Sequence, residues 1–224
     1  MGMHVELTAA DGHHFDAYFS PAPQSKMGVV VIQEIFGVNH HIRNVADRFA
    51  AEGFTALAPA VFDRVERGVE LGYDKDAMGQ GRKIATALKK EQVLQDIEAS
   101  IKYLRRETGG GKVGVVGFCF GGSYAWFSAT ELRPNAAVGY YGSMVAQFAQ
   151  ESPHCPVMLH YGAKDEHIPA GDADKVRTAH PEIPVYVYDA GHGFNCDERP
   201  SYNEAAAKLA WSRTIAFLKE HLAP

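Results

Sequence analysis

The string Gly117-Phe118-Cys119-Phe120-Gly121-Gly122 sets a thiol at the centre of a glycine-flanked turn. It follows the apolar run Val113-Gly114-Val115-Val116 and precedes a helical segment starting near Ser123. A nucleophile carried on such a strand-to-helix turn needs small flanking residues, because larger side chains would collide where strand and helix pack closely. At a helix N-terminus, amide donors and the helix dipole favour thiolate over thiol. The pattern therefore points to a nucleophilic cysteine in the position where serine is usual. The same string also suits a buried structural cysteine in a glycine-rich turn.

A thiol nucleophile needs a base, and the base needs an acid to orient it. Both are available. Asp165 follows the apolar stretch Pro156 to Tyr161, in Gly162-Ala163-Lys164-Asp165-Glu166-His167-Ile168-Pro169; His192 follows Val185 to Tyr188, in Asp189-Ala190-Gly191-His192-Gly193-Phe194. Taken singly, Asp165 suits an Asx turn and His192 a structural loop position. Separations of 46 and 27 residues leave one strand–helix unit between each member, so three successive strand ends present Cys, Asp and His in the order nucleophile, acid, histidine. Rivals are poorer. Cys155 and Cys196 lack the glycine turn, Ser123 and Ser143 are not flanked as a nucleophilic serine is, and Glu166 and His167 compete only within their own loop. The pairs His13-His14 and His40-His41 lack the helical i, i+4 spacing of metal ligands and are expected at the surface or in loops, so no metal is expected.

These residues need a scaffold that brings strand ends together. His4 to Leu7 and Phe15 to Phe19 alternate around Asp11-Gly12, which predicts a hairpin. Gly28 to Ile32 is apolar at successive positions, as a strand covered on both faces would be. Residues 41 to 52 read as a helix ended by Gly53, and Phe54 to Ala58 as the next strand. Pro59 to Gly81, with Gly68, Gly72, Gly79 and Gly81 among charges, predicts a long irregular loop. One long helix is predicted to follow, carrying Ile84, Leu88, Ile97, Ile101 and Leu104 on its apolar stripe and stopping at Gly109-Gly110-Gly111. Val113 to Val116, Ala136 to Tyr141, Pro156 to Tyr161 and Val185 to Tyr188 read as strands. A last helix runs from about Tyr202 to Leu222, with Leu209, Ile215, Phe217 and Leu218 among its apolar positions. Strands alternating with helices predict one α/β domain over residues 1–224, a doubly wound, mainly parallel sheet with the N-terminal hairpin as its antiparallel edge. Sites in such sheets lie beyond the carboxyl ends of the strands, where Cys119, Asp165 and His192 fall.

Composition narrows the partners. The 224 residues are 46% hydrophobic and 22% charged, ordinary globular values. With 22 Lys+Arg against 27 Asp+Glu, a net charge of −5 and no basic run, nucleic acid is not an expected partner. The apolar stretch at Gly28 to Ile32 falls far short of the roughly 18 residues a membrane span needs. The opening Met1-Gly2-Met3-His4-Val5-Glu6 has neither the basic nor the apolar part of a secretory leader, and three cysteines without C-x-x-C spacing build neither a disulfide framework nor a zinc knuckle. A cytoplasmic monomer is expected.

The run Gln33-Glu34-Ile35-Phe36-Gly37-Val38-Asn39, with the Gly117 to Gly122 turn, Tyr140-Tyr141-Gly142 and Ala190-Gly191-His192, resembles the dienelactone hydrolase (carboxymethylenebutenolidase) family over nearly the whole chain. The resemblance implies an α/β-hydrolase fold, no metal or organic cofactor, and a triad on Cys119, Asp165 and His192. It implies too that Glu34 holds or accepts the thiol proton of Cys119 and is displaced when substrate binds. Family members acting on dienelactone grip the substrate carboxylate with two arginines, one in the segment before the long helix and one four residues after the catalytic histidine. The second place here is Cys196, with Arg199 three residues on, and Arg82 is the candidate for the first. The family's serine after the histidine is Gly193. Backbone N–H groups of Phe120 and Ile35 are the expected oxyanion donors, and Phe36 a further substrate contact. The expected reaction is hydrolysis of a small ester or lactone through a thioester on Cys119. The alternatives are another small ester or thioester as substrate or, in a different class, a catalytically silent redox-sensing thiol.

Overall fold

The computed structural model describes residues 2–224. Strand β1 (Met3–Thr8) pairs antiparallel with β2 (His14–Ser20), setting Val5 opposite Ala17. The Asp11-Gly12 pair lies in a loop closed by the Ala9 amide donating to the His13 carbonyl at 2.9 Å, with Gly12 at φ 84°. Six further strands follow: β3 (Met27–Ile32), β4 (Thr55–Pro59), β5 (Lys112–Phe118), β6 (Ala136–Tyr140), β7 (Val157–Gly162) and β8 (Val185–Tyr188). They form one sheet in the order β1-β2-β4-β3-β5-β6-β7-β8, parallel from β4 to β8 and antiparallel where β2 meets β4. Val29 to Ile32 and Val113, Val115 and Val116 are fully buried, as strands at the centre of a covered sheet must be.

Both faces are covered. The helices are α1 (His40–Ala51), α2 (Lys75–Ala87), α3 (Lys90–Glu107), α4 (Phe120–Glu131), α5 (Asp172–Ala179) and α6 (Glu204–Leu222). A side chain at Gly114 would meet Leu218 and Leu222 of α6, whereas one at Gly28 would meet Leu104 of α3 and Val113. Residues 113 and 114 point to opposite faces of β5, so α6 and α3 lie on opposite sides of the sheet. Phe49 of α1 meets Trp211 of α6 with the two rings tilted and their centroids 4.5 Å apart, which puts α1 on the α6 side. No helix among the described residues is long and apolar enough to cross a membrane.

The structure departs from the sequence expectation between Pro59 and Leu104. The predicted irregular loop holds a turn of 3-10 helix at Val61–Arg64 and the first half of α2, which Asp74 caps by accepting from the Asp76 and Ala77 amides, both at 2.9 Å. Gly79 and Gly81 are therefore helical. The single long helix is two, because Leu88 (φ −75°, ψ 143°) and Lys89 (φ −96°, ψ 132°) are extended. At ~100° per residue, Leu88 and Ile97 would point ~180° apart on one continuous helix. The break lets both ends of the stripe face the protein. Smaller corrections concern α4, which starts at Phe120 rather than near Ser123, and Leu209, which is 47% exposed on α6. His41 is not a surface residue: it is 1% exposed, turned inward from the first turn of α1, while His40 beside it stays outside. Arg64 fastens the inserted 3-10 turn, donating two hydrogen bonds to the buried Asp96 of α3 at 2.7 and 2.8 Å and two to Asp11 of the hairpin loop at 2.8 and 3.3 Å.

Candidate active site

The Cys119 turn is built by close approach. Cys119 ends the β5 path with φ 54° and ψ −112°, a conformation that costs a non-glycine residue ~1–3 kcal/mol and persists only where the surroundings enforce it. Its amide donates to the Tyr140 carbonyl at 2.9 Å, and the next-but-one amide, Gly121, donates to the Gln33 carbonyl at 3.0 Å. A Cβ on Gly121 would stand 2.4 Å from the Ile32 carbonyl oxygen, so only glycine lets α4 begin against the end of β3. That contact brings the Phe120 and Ile35 amides to the same end of the sheet. Neither donates to another protein group among the described residues, and Phe120, opening a helix, has no intrahelical acceptor for its amide.

The three strand ends converge. Cys119 Sγ lies 3.1 Å from His192 Nε2, and His192 Nδ1 lies 2.7 Å from Asp165 Oδ2. The other Asp165 oxygen accepts the amides of His167 at 2.8 Å and Ile168 at 3.2 Å, so the turn orients the carboxylate that orients the histidine. Burial alone would push the His192 imidazolium down, but the hydrogen bonds and charges of Asp165 and Cys119 outweigh it and lift the group to about 10. Burial likewise pushes Asp165 up, and the contact with His192 and the two amides bring it below the usual carboxylate range. The set is suited to hold a proton on His192, with the Asp165 carboxylate opposite it.

Glu34 is buried, 1% exposed. Its Oε1 accepts from Arg199 Nη1 at 3.1 Å, and its Oε2 has no partner among the described residues. The thiol sulfur faces His192 and Glu34 faces Arg199. A cavity of about 260 Å³ opens over Cys119, lined among others by Ile35, Phe36, Arg82, Phe120, His192 and Arg199. The expected substrate contacts Phe36, Arg82 and Arg199 thus border one space, and no Asp or Glu lines it. Cys155 lies elsewhere, in a groove of about 630 Å³ at the other end of β7, its thiol pushed up to about 12 by burial.

Two neighbours of the histidine have no place beside it in the sequence pattern. Tyr141, fully buried with φ 39°, lays its ring 5.0 Å from that of His192. His167, set aside as a rival within its loop, meets the His192 ring edge to face at 5.0 Å and borders the cavity. The adjacent Tyr140-Tyr141-Gly142 string was the only sequence signal for the first, and nothing in the spacing marks the second as a neighbour of His192.

The fold and the Cys-His-Asp geometry define an α/β-hydrolase. The chain belongs to the dienelactone hydrolase family, whose model matches residues 15–222. It is 33% identical to the carboxymethylenebutenolidase of Pseudomonas putida over 223 residues, covering 96% of this chain and 94% of the relative. A Synechocystis sp. protein assigned as a carboxymethylenebutenolidase is 36% identical over 211 residues, 87% of this chain and 86% of its own. Among solved structures, one assigned as a dienelactone hydrolase of Klebsiella pneumoniae superposes with a TM-score of 0.82 at 29% identity, covering 98% of this chain and 99% of that one. A dienelactone hydrolase-like phosphotriesterase from metagenomic libraries shares the fold, with a TM-score of 0.76 at 21% identity over 99% of each chain.

Proposed function

We propose that the chain hydrolyses a small ester or lactone through a thioester on Cys119. The observation that carries the proposal is the unbroken line from Cys119 Sγ to His192 Nε2 and from His192 Nδ1 to Asp165, ending under a cavity. The Cys119 thiolate attacks the carbonyl carbon, and the oxyanion is received by the Phe120 and Ile35 amides. His192 gives its proton to the departing oxygen, which completes acylation. Acylated sulfur no longer carries charge, so two of the influences that lift His192 are gone and the neutral imidazole is free to take a proton from water. That water attacks the thioester, and Cys119 leaves as thiolate. Asp165 keeps Nδ1 protonated throughout. Glu34 acts before acylation, taking or holding the thiol proton, and moves onto Arg199 when the sulfur turns to His192.

Substrates carrying a carboxylate are favoured, because Arg82 borders the cavity with no acid in the lining beside it, and Arg199 borders the same space. A neutral ester is the second reading, supported by the engagement of Arg199 with Glu34. Turnover of dienelactone and of a neutral aryl ester by the wild type, Cys119→Ala and His192→Ala tests the proposal. Each variant is expected to lose at least ~10³-fold in kcat/KM. Undiminished hydrolysis in both would sink it. Labelling of Cys119 by iodoacetamide with no turnover of any ester would favour the redox-sensing alternative instead.

A further inference from the structure

Two features noticed in the sequence have no part in the hydrolytic machinery: the His40-His41 pair and Cys196, which stands where the family arginine was expected. The fold brings them together. His41, on the first turn of α1, has its Nδ1 3.2 Å from Asp197 Oδ1, and His41, Cys196 and Asp197 offer ligand atoms that all lie within 4.8 Å of one another. No other group of three His, Cys, Asp or Glu among the described residues meets that condition. Cys119, His192 and Asp165 do not, because the thiol and the carboxylate take opposite nitrogens of the same ring.

We infer that His41, Cys196 and Asp197 form a binding site for a borderline-soft divalent cation of the zinc class. A thiolate, an imidazole and a carboxylate are the donor types zinc takes, and three protein ligands leave a fourth position for water. Tetrahedral bonds of zinc's lengths need donor atoms ~3.3–3.7 Å apart, so the group closes on an ion by side-chain adjustment and not by refolding. His41 is buried to 1% exposure with its Nδ1 toward Asp197, so packing holds the imidazole against the other two donors. Asp197 is 61% exposed at its side chain, which gives the ion a way in from solvent.

Binding replaces the Cys196 S–H proton by the metal, so one proton leaves to solvent for each ion bound and affinity rises with pH. The thiol is otherwise held up to about 12, first by burial and then by the Glu34 charge. The consequence is mechanical. The Cys196 amide donates to the Gly193 carbonyl at 3.0 Å and the Arg199 amide to the Cys196 carbonyl at 3.2 Å, so an ion at Cys196 would tie α1 to the two turns that carry Arg199 onto Glu34.

Cobalt(II) titration of the metal-free full chain tests this, independently of the hydrolase assignment. The wild type is expected to take up one ion with a thiolate-to-cobalt charge-transfer band in the near ultraviolet, competed away by zinc. Cys119→Ala should keep the band and Cys196→Ser should lose it. Asp197→Asn, an exposed change that leaves the core alone, should weaken zinc at least tenfold by calorimetry and settles the matter if the buried Cys196→Ser chain fails to fold. The inference is overturned if the wild type shows no band, if the band survives in Cys196→Ser or disappears in Cys119→Ala, or if Asp197→Asn binds zinc as the wild type does.

Discussion

Among the described residues Arg199 and Glu34 form an ion pair with no third member, at 11% and 1% exposure, so removing one strands the other. Truncating one member of a buried pair costs ~3–5 kcal/mol, far more than the pair itself contributes. Arg199→Met is therefore expected to lose stability of that order in urea unfolding, and adding Glu34→Gln to recover much of it, a coupling a double-mutant cycle reads directly. The histidine permits a sharper check, because Cys119 is among the causes that raise it. Its imidazole titration, followed by NMR, should fall well below about 10 in Cys119→Ala while the Asp165 contact remains. The sign for stability follows. A histidine raised on folding contributes stability present below ~6.5, and that contribution is lost as pH climbs toward the folded value. At this scale the meeting of Cys119, His192 and Asp165 was legible, because each follows an apolar strand and the three fall in one order. The tie between Arg199 and Glu34, the Tyr141 backing and the inward turn of His41 were not. Those contacts join residues far apart in the chain, and no local pattern records them.

Secondary-structure elements were legible wherever one face decides their pattern, and Gly81 shows where that ends. Glycine among charges predicts a loop, yet Gly81 lies within α2, where a Cβ would stand 1.9 Å from the Ile35 carbonyl oxygen. The residue is small so that a helix can cross the segment bearing a proposed oxyanion donor, a packing reason that only the assembled fold reveals. Gly81→Ala is accordingly expected to push α2 off that segment. Hydrolysis of a fixed ester should then fall by up to ~10²–10³ in kcat, the worth of one misplaced oxyanion donor, with a smaller change in KM. Equal kcat in variant and wild type would show that α2 does not position Ile35. The helix break at Leu88 was, by contrast, present in the sequence as a half-turn slip of the apolar stripe. The spacing still predicts one helix, because Ile84 with Leu88, and Ile97 with Ile101 and Leu104, each fit helical periodicity on their own.

Across the whole molecule the parallel sheet holds its active strand ends in place through a buried polar cluster beyond the site. His160 of β7, fully buried, meets the Tyr188 hydroxyl of β8 at 2.8 Å and the Thr214 hydroxyl of α6 at 3.0 Å, and Thr214 in turn meets Tyr140 of β6 at 2.7 Å. The strands that end in the Asp165 and His192 turns, β7 and β8, are thus tied to each other and to α6 by one imidazole. Burial first, and the Arg213 charge second, push that imidazole down to about 3, so it stays neutral in the folded chain while the unfolded chain protonates near ~6.5. A histidine lowered on folding gives its full contribution above ~6.5 and loses it as pH falls toward the folded value, because the unfolded state then binds the extra proton. At ~1.4 kcal/mol per unit, the loss approaches ~4–5 kcal/mol over that window, a large part of a typical domain's stability. Urea unfolding of the wild type and His160→Gln between pH 7 and 4 separates this group from every other that titrates there. The wild type's stability should fall more steeply by close to one proton's worth of slope, whatever the two absolute values. Parallel slopes would mean that His160 is not held neutral, and that acid sensitivity arises elsewhere in the fold.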